Sequence, residues 1–322
     1  MNDVVAFLVQ CFSTPALLTS ACALAVVPPL AWLVVRALAP TLRSMDGDPG
    51  WQAPLAAAAA GLPAFLFAVI GVVTLRDAWG SVCLQFVTGR VLYAAIAAIT
   101  VFGLVRATVL MRRRTAEIRD LIERSVPASE LLERVTASQA LPAREVPSNE
   151  AFILLAGIAR PTVLVSTEAL RRLDADQLEA AFRHEAAHAH RGDQVISAVV
   201  TFISDIIPLP VGDLVALYRQ AREFAADAHA ARRADPCDLA GALLALARGG
   251  GSVPAGTAAL AESGTVRARL AVLLTDAPPP PAPWRRVLVA GSLAATFVLG
   301  ATPAIAALVN GIQCTLPMSR MT

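Results

Sequence analysis

The chain has little charge. Charged residues make up 16% of its 322 positions, whereas hydrophobic residues make up 56%, and the mean hydropathy is +0.60. Ordinary soluble domains carry about 25% charged and about 45–50% apolar residues. The composition therefore argues against an ordinary soluble protein and indicates a membrane protein.

Lysine is absent, and the other polar features of the chain are sparse. All 27 basic residues are arginine, and the net charge is only +2. So small a charge offers no electrostatic footprint for nucleic acid, and we predict no direct nucleic-acid binding. The five cysteines form no CxxC pair, which excludes the usual thiolate zinc site and gives no sign of a disulfide scaffold.

Long apolar runs, by contrast, are plentiful. Crossing the hydrocarbon core of a bilayer takes about 20 largely apolar residues, and four stretches meet this requirement. They are Ala16–Val35, Pro54–Leu75, Val91–Met111 and Val287–Val309. A soluble domain of this size rarely needs four such runs as buried core helices. We therefore predict a mainly α-helical membrane protein with four transmembrane helices, the first three forming a membrane domain over residues 1–111.

Arginines flank the predicted spans on one side. Arg112–Arg114 follow the third span, and Arg285 and Arg286 precede the fourth. The positive-inside rule places both flanks in the cytoplasm, so that both termini would lie outside a plasma membrane. Cys83 and Cys314 would then share the outer side, and a disulfide between them is left open.

Between the third and fourth spans lies a segment of ordinary domain size. Residues 112–283 are predicted to form a cytoplasmic domain that ends in a proline-rich linker, Ala277–Trp284. Residues 284–322 would then hold the fourth span and a short extracellular tail. Two β-rich runs, Ala151–Ala156 and Thr162–Ser166, predict a hairpin in this domain.

Helical patterns follow the hairpin. They cover Ala175–His190, Gln194–Ile207 and Gly212–Arg233. Asp174 with Gln177 resembles a capping box at the start of the first, and Gly192 is a natural stop. The second is apolar but too short to span a bilayer, which leaves two alternatives, a core helix or a helix at the membrane interface.

Three of the four histidines of the chain are concentrated on the first of these helices. His184 and His188 are four residues apart and share one face, so both imidazoles can point at one ion. Glu185 lies beside such an ion, where it can take a proton from a water molecule that the metal activates. This is the HExxH arrangement of zinc hydrolases. We predict one zinc ion per chain, with Glu185 as the catalytic base.

A catalytic zinc ion needs a third protein ligand and an open position. On the third helix, Glu223 is the candidate ligand, and Asp227, one turn later, can accept the free ring N–H of a zinc-bound histidine. His190 faces away from the pair and is predicted to lie at the surface. Candidates for stabilising the oxyanion of the reaction remain open: Tyr218, His229 and Arg269.

These motifs resemble those of a known family. HEAAHAHRGD, followed by E-x-x-A-D at Glu223–Asp227, resembles the BlaR/MecR-type integral-membrane zinc metallopeptidases, the antirepressor proteases. EAFILLAGIARPTVLVSTEAL resembles the strand pair that precedes the zinc helix in that family. HtpX-like and CAAX-processing proteases have a similar motif. Arg191 and Asp193, together with three spans before the domain and one after it, favour the BlaR/MecR type.

The resemblance implies a fold and an activity. It implies an α+β, gluzincin-like zinc metallopeptidase domain in which His184, His188 and Glu223 bind zinc, Glu185 is the general base and Asp227 supports a zinc-bound histidine. The implied reaction is cleavage of a cytoplasmic or membrane-proximal protein, such as a transcriptional repressor, in regulatory signalling. Sensor members of the family carry an extracellular penicillin-binding domain at the C-terminus. This chain has only a short tail there, so direct β-lactam sensing is not expected.

Two other functions compete with this one. An HtpX-like quality-control protease would cut many unfolded membrane proteins, whereas a regulatory protease would cut one substrate. A non-catalytic membrane transducer could keep the fold without the activity. Glu185 argues against the transducer, because a scaffold needs no proton acceptor beside its metal. In a protease, the extended substrate is expected to pair with an edge strand of the hairpin.

Overall fold

The computed structural model is mostly helical, with one small mixed sheet. It describes residues 15–45, 47–79, 87–137, 141–206, 211–248, 266–275 and 281–315. The helices are α1 (Pro15–Arg43), α2 (Pro49–Trp79), α3 (Val87–Arg124), α4 (Glu130–Thr136), α5 (Thr167–Arg172), α6 (Ala175–Arg191), α7 (Asp193–Ile206), α8 (Gly212–Ala230), α9 (Pro236–Ala247), α10 (Val266–Leu274) and α11 (Pro283–Thr315). The strands are β1 (Val126–Pro127), β2 (Ala143–Val146), β3 (Ile153–Ala156) and β4 (Thr162–Ser166).

Three helices in the described part are long and apolar enough to cross a membrane. They are Cys22–Arg43 of α1, Pro49–Arg76 of α2 and Pro283–Ala306 of α11. These segments contain the first, second and fourth predicted spans in whole or in large part. The other predicted span, Val91–Met111, is part of α3 but does not belong to this set, so it stays a prediction. Cys83 and the first half of the predicted linker lie outside the described residues.

The apolar helices pack as a bundle. Their inward side chains, such as Val35, Leu66 and Val289, are fully buried in one hydrophobic cluster. On the outer faces, Val72 is 63% exposed and Leu299 is 72% exposed. Apolar surface of this extent is what a lipid bilayer covers. The bundle therefore has the character of a membrane domain.

The two arginines that precede the last predicted span contact the connection between α1 and α2 at one end of the bundle. Arg286 contacts Asp48 at 2.5 Å, and Arg285 donates a hydrogen bond to the Ser44 hydroxyl at 3.1 Å. The connection between α1 and α2 and the start of α11 are therefore on the same side, as the predicted topology requires. Which side of the membrane this is stays a prediction.

The predicted hairpin is confirmed, and it belongs to a four-stranded sheet. The strand order is β1-β2-β4-β3, with β3 antiparallel to β4 and β2 parallel to it. Gly157 follows β3 with a φ of 87°, and a Cβ there would lie 2.6 Å from the Arg160 carbonyl oxygen. Only glycine fits this turn. In the strand order, β3 is an edge strand of the sheet.

Helix α6 lies against this sheet and is fixed at both ends. The Asp174 side chain accepts a hydrogen bond from the Gln177 backbone N–H at 2.8 Å, and Gly192 ends the helix with a φ of 66°. The cap by the Asp174 side chain and the stop at Gly192 are confirmed. Phe182 and other buried side chains of α6 pack in one cluster with Ile153 and Val165 of the sheet. This packing sets which face of α6 is turned away from the sheet, and that face carries the histidines.

Helix α8 joins the bundle to the rest of the protein. The apolar side chains of its first half, including Leu214 and Leu217, are part of the same buried cluster as those of α1, α2 and α11. Asp213 in its first turn contacts Arg36 of α1 at 2.5 Å. The helix ends at Ala230 rather than at the predicted Arg233, because a turn there leads into α9. The first half of α8 is thus anchored among the apolar helices, and the second half continues from it.

Helix α7 is attached to α3. Arg114 donates a hydrogen bond to the Asp205 carboxylate at 2.7 Å, and Arg106 donates one to the Asp205 carbonyl oxygen at 2.7 Å. The helices approach so closely that a Cβ on Gly103 would lie 2.2 Å from the Ile206 carbonyl oxygen. Glycine in α3 therefore allows the end of α7 to dock.

The sequence left two alternatives for α7, a core helix or a helix at the membrane interface, and the position of α7 bears on this choice. Its Val195 and Val199 are about half exposed, while Ser197 and Val200 on other faces are buried. An amphipathic helix with an exposed apolar face is not a fully buried core helix. Of the two alternatives, this exposure favours the helix at the membrane interface.

Replacing Gly103 with alanine should displace α7. The added methyl group would overlap the Ile206 carbonyl, and forcing extra atoms into a packed contact typically costs about 1–3 kcal/mol. Hydrogen exchange of the α7 backbone, measured on the full-length protein in detergent, should become faster. Gly61→Ala in α2 is the matched control, since its Cβ would meet nothing within 4 Å. Unchanged exchange of α7 in Gly103→Ala would contradict the docking described here.

Candidate metal centre

Helices α6 and α8 bring the three predicted ligands together. The Nε2 atoms of His184 and His188 lie 3.1 Å apart. Glu223 reaches them from α8, with 3.3 Å to His184 Nε2 and 3.6 Å to His188 Nε2. All three side chains are buried, and their ligand atoms lie within 4.8 Å of one another. The i, i+4 spacing on α6 and the return of the chain along α8 produce this convergence.

A carboxylate contacts the second nitrogen of each imidazole. His184 Nδ1 lies 2.9 Å from Asp227 Oδ1, and His188 Nδ1 lies 2.7 Å from Asp193 Oδ2. An ionised carboxylate only accepts hydrogen bonds, so Nδ1 carries the hydrogen in both rings. In the neutral rings, both Nε2 lone pairs then face the space shared with Glu223. This orientation is the one that metal-binding histidines adopt.

The contact of Asp193 with His188 is not predicted by the HExxH motif. Gly192 adopts the left-handed conformation and reverses the chain at the end of α6. The first residue of α7, Asp193, is thereby brought back to His188, five positions earlier. The sequence feature that could have predicted this contact is the aspartate directly after Gly192, the glycine that ends α6.

Two buried arginines surround the carboxylates. Arg269 donates from Nε and Nη2 to the two oxygens of Asp227, at 2.7 and 2.6 Å, and its Nη1 lies 3.2 Å from Glu223 Oε2. Arg222 donates to Glu223 Oε1 and to the Ser197 hydroxyl, both at 3.0 Å. Arg269 was a candidate for stabilising the oxyanion, but its guanidinium group is directed at these carboxylates.

The other two oxyanion candidates have different surroundings. Tyr218 packs in the apolar cluster of the first half of α8, and its hydroxyl lies near Ser197 and Arg222. His229 is half-buried, and its ring lies 6.4 Å from that of the exposed His190. Burial and the nearby Arg233 and Arg232 lower the pKa of His229. The exposure of His190 agrees with its prediction, whereas the oxyanion roles stay predictions.

The charges and ligand atoms of the site are compatible with a bound metal ion. Every buried charged residue in the described part of the chain belongs to this cluster: Glu185, Asp193, Arg222, Glu223, Asp227 and Arg269. Glu185 keeps its proton up to about pH 8, so three ionised carboxylates face the two buried guanidinium groups, and the half-buried Arg191 contacts Asp193 at 3.5 Å. Buried charges without compensation are strongly destabilising. Two imidazole nitrogens and one carboxylate are also the protein ligands of a frequent type of catalytic zinc site, so the residues present fit a zinc ion.

Glu185 and Glu223 are adapted to different tasks. Burial raises the pKa of Glu185 to about 8, and neither carboxylate oxygen has a hydrogen-bond partner among the described residues. Burial acts in the same direction on Glu223, but His188, His184 and Arg269 outweigh it and hold the pKa of Glu223 well below its usual range. Glu223 is therefore ionised, as a metal ligand needs to be, and Glu185 is able to take up a proton near neutral pH.

The fold and the site together define a class. A bundle of apolar helices joined to a buried His–His–Glu centre with a free glutamate beside it is the arrangement of a membrane metallopeptidase. The model of the BlaR1 peptidase M56 family matches residues 75–273, more than half of the chain, and the chain belongs to that family. No curated protein matches the chain significantly.

The pKa of Glu185 predicts how the stability of the metal-free protein depends on pH. In the unfolded chain the carboxyl group loses its proton near pH 4.5, whereas in the folded protein it keeps the proton up to about pH 8. Between these values the folded state binds more protons, so its stability falls as the pH rises. Glu185→Gln removes this loss of stability at higher pH. In EDTA, the variant should unfold at a higher temperature than the wild type, by a margin that grows from pH 5 to pH 8.

Glu179→Gln makes the same exchange on a less buried part of α6 and serves as the control. Its unfolding temperature, relative to the wild type, should not show this growing margin. A constant difference between Glu185→Gln and the wild type across this pH range would mean that burial does not govern the ionisation of Glu185.

Proposed function

We propose that this protein is a zinc-dependent endopeptidase of the gluzincin type that cleaves a cytoplasmic or membrane-proximal protein in regulatory signalling. A transcriptional repressor is the proposed substrate. The observation that carries the proposal is the convergence of His184, His188 and Glu223 next to the unpartnered carboxylate of Glu185. Membership of the BlaR1 peptidase M56 family supports it.

The residues of the site divide the work of peptide hydrolysis. A zinc ion held by His184, His188 and Glu223 would polarise the scissile carbonyl group and activate water. Glu185 accepts the proton of the attacking water and passes it to the leaving amine, a task that suits a carboxyl group whose pKa lies near neutral pH. Asp193 and Asp227 keep the imidazole rings in the orientation that presents Nε2 to the metal.

The edge of the sheet is the proposed platform for the substrate. β3 is the last strand in the sheet order, so one side of its backbone is not paired with another strand of the sheet. An extended peptide can add to such an edge and thereby present its peptide bonds in a fixed register. A cavity of about 90 Å³ lies beside the end of β3, between α3 and α7, and reaches Asp193 and Arg222. Its lining thus joins the end of the strand to two residues that contact the proposed metal ligands.

Two helices connect the membrane bundle to the ligands, which supports a regulatory role. α8 contributes Glu223 and packs its first half among the membrane helices. α7 begins with Asp193, the partner of His188, and ends on α3, where Arg114 holds Asp205. A movement of the membrane helices would therefore shift groups on both sides of the metal centre. We propose that the activating signal crosses the membrane in this way.

The proposed membrane arrangement includes more than the three apolar helices α1, α2 and α11. It adds Val91–Met111 as a fourth span and places residues 112–283, with the metal centre, in the cytoplasm and both termini outside. The meeting of Arg285 and Arg286 with the α1–α2 connection supports a common arginine-rich side. Positive charge next to apolar spans favours the cytoplasmic side.

Glu185→Gln should abolish cleavage while zinc remains bound. The amide has nearly the shape of the carboxylate but cannot take up the proton, and general acid–base catalysis is worth about 10²–10⁴-fold in rate. Protein termini generated in cells that carry the wild type or the variant give the readout. The zinc content of the purified proteins shows whether the metal site is intact.

The control is again Glu179→Gln, which should cleave as the wild type does. A single cytoplasmic substrate would fit the regulatory proposal, whereas loss of cleavage in many unfolded membrane proteins would indicate quality control instead. Full cleavage and full biological activity in Glu185→Gln would contradict the peptidase mechanism.

A further inference from the structure

We propose that Arg269 of α10 is a positioning residue of the metal centre, which locks the ligand Glu223 and, through Asp227, the ligand His184. This inference rests on the proposed zinc peptidase function. Arg269 lies outside the HExxH and E-x-x-A-D motifs and belongs to a separate helix that packs against α8 and α9. Its action would make the helix that precedes the last membrane segment a part of the metal centre.

The guanidinium group of Arg269 is fully buried and faces two carboxylates. Nε and Nη2 each donate to one oxygen of Asp227, at 2.7 and 2.6 Å, and Nη1 lies 3.2 Å from Glu223 Oε2. Glu223 and Asp227 are one turn apart on the same face of α8, so a single planar group can reach both. Three nitrogens of one side chain thus fix the relative position of two acidic residues.

The effect of Arg269 on His184 passes through Asp227. Asp227 Oδ1 accepts from Arg269 Nη2 at 2.6 Å and contacts His184 Nδ1 at 2.9 Å. Arg269 Nη2 itself is 3.5 Å from His184 Nδ1, which is too long for a strong hydrogen bond. With both its oxygens held by Arg269, Asp227 cannot rotate away from the imidazole. The direction in which His184 presents Nε2 is therefore set by the arginine as well as by the aspartate.

An arginine is required for this geometry. Its rigid fork binds a carboxylate with two parallel hydrogen bonds and still presents a third nitrogen to a second carboxylate. A lysine ammonium at the same place is a compact charge on a flexible stem. It can balance the negative charge but cannot hold both carboxylates in one plane. Arg269→Lys consequently separates the positioning effect from the charge.

The test compares Arg269→Lys with Arg267→Lys in the full-length protein in detergent. Arg267 is exposed on the same helix, so its substitution is the matched control. Arg269→Lys should lower the zinc affinity, measured by competition with a chelator, by about 10–100-fold, the usual effect of losing a group that orients a metal ligand. The visible absorption bands of the cobalt-substituted protein should also change. Arg267→Lys should match the wild type in both measurements.

A double substitution tests whether the effect of Arg269 on zinc binding passes through Asp227. In an Asp227→Asn background, Arg269→Lys should weaken zinc binding less than it does in the wild type, because part of its action passes through Asp227. An equal loss in both backgrounds would contradict this path. Arg269→Gln also removes the charge and should weaken zinc binding at least as much as lysine does. If the glutamine variant does not fold, the lysine variant alone decides.

Wild-type zinc affinity and an unchanged cobalt spectrum in Arg269→Lys would overturn the inference and leave the peptidase proposal standing. A wild-type protein that binds no zinc would overturn the proposed function itself. The two failures are therefore distinguishable.

Discussion

The structure depends on how six charged side chains are tolerated in an apolar interior. All buried charged residues of the described part are gathered around His184 and His188: four carboxyl groups, of which Glu185 keeps its proton up to about pH 8, and two guanidinium groups. Such a group is stable only if its charges are compensated and its hydrogen bonds are satisfied. A divalent cation between the two imidazoles and Glu223 meets this need. Metal binding and the folding of this region are therefore expected to be coupled.

The elements around the centre each fix one part of it. α6 is capped at both ends and packed on the sheet, and it supplies both histidines. α8 supplies Glu223 and Asp227 and has its other half among the membrane helices. The first residue of α7, Asp193, and Arg269 within α10 come to the same place. A metal centre assembled from four helices responds to the relative position of all of them, which suits a protease that the membrane domain controls.

Local features could be predicted from the sequence, whereas contacts between distant segments could not. Helical periodicity put His184 and His188 on one face, and the capping signals at Asp174 and Gly192 gave the limits of α6 to within one residue. The guanidinium of Arg269 reaches the acidic residues only through the packing of α10, so a motif cannot reveal it. The shared core of α8 and the membrane helices depends likewise on tertiary packing. Apolar periodicity predicts which face of a helix is buried but not which other element packs against that face.

X-ray absorption at the zinc edge of the full-length, zinc-loaded protein tests the ligand set most directly. Two imidazoles and one carboxylate should give nitrogen and oxygen neighbours at about 2.0–2.2 Å, with the outer-shell pattern of imidazole and no sulfur. Scattering from sulfur at about 2.3 Å, or a shell without imidazole, would show that the ion is held elsewhere and would contradict the metal centre described here.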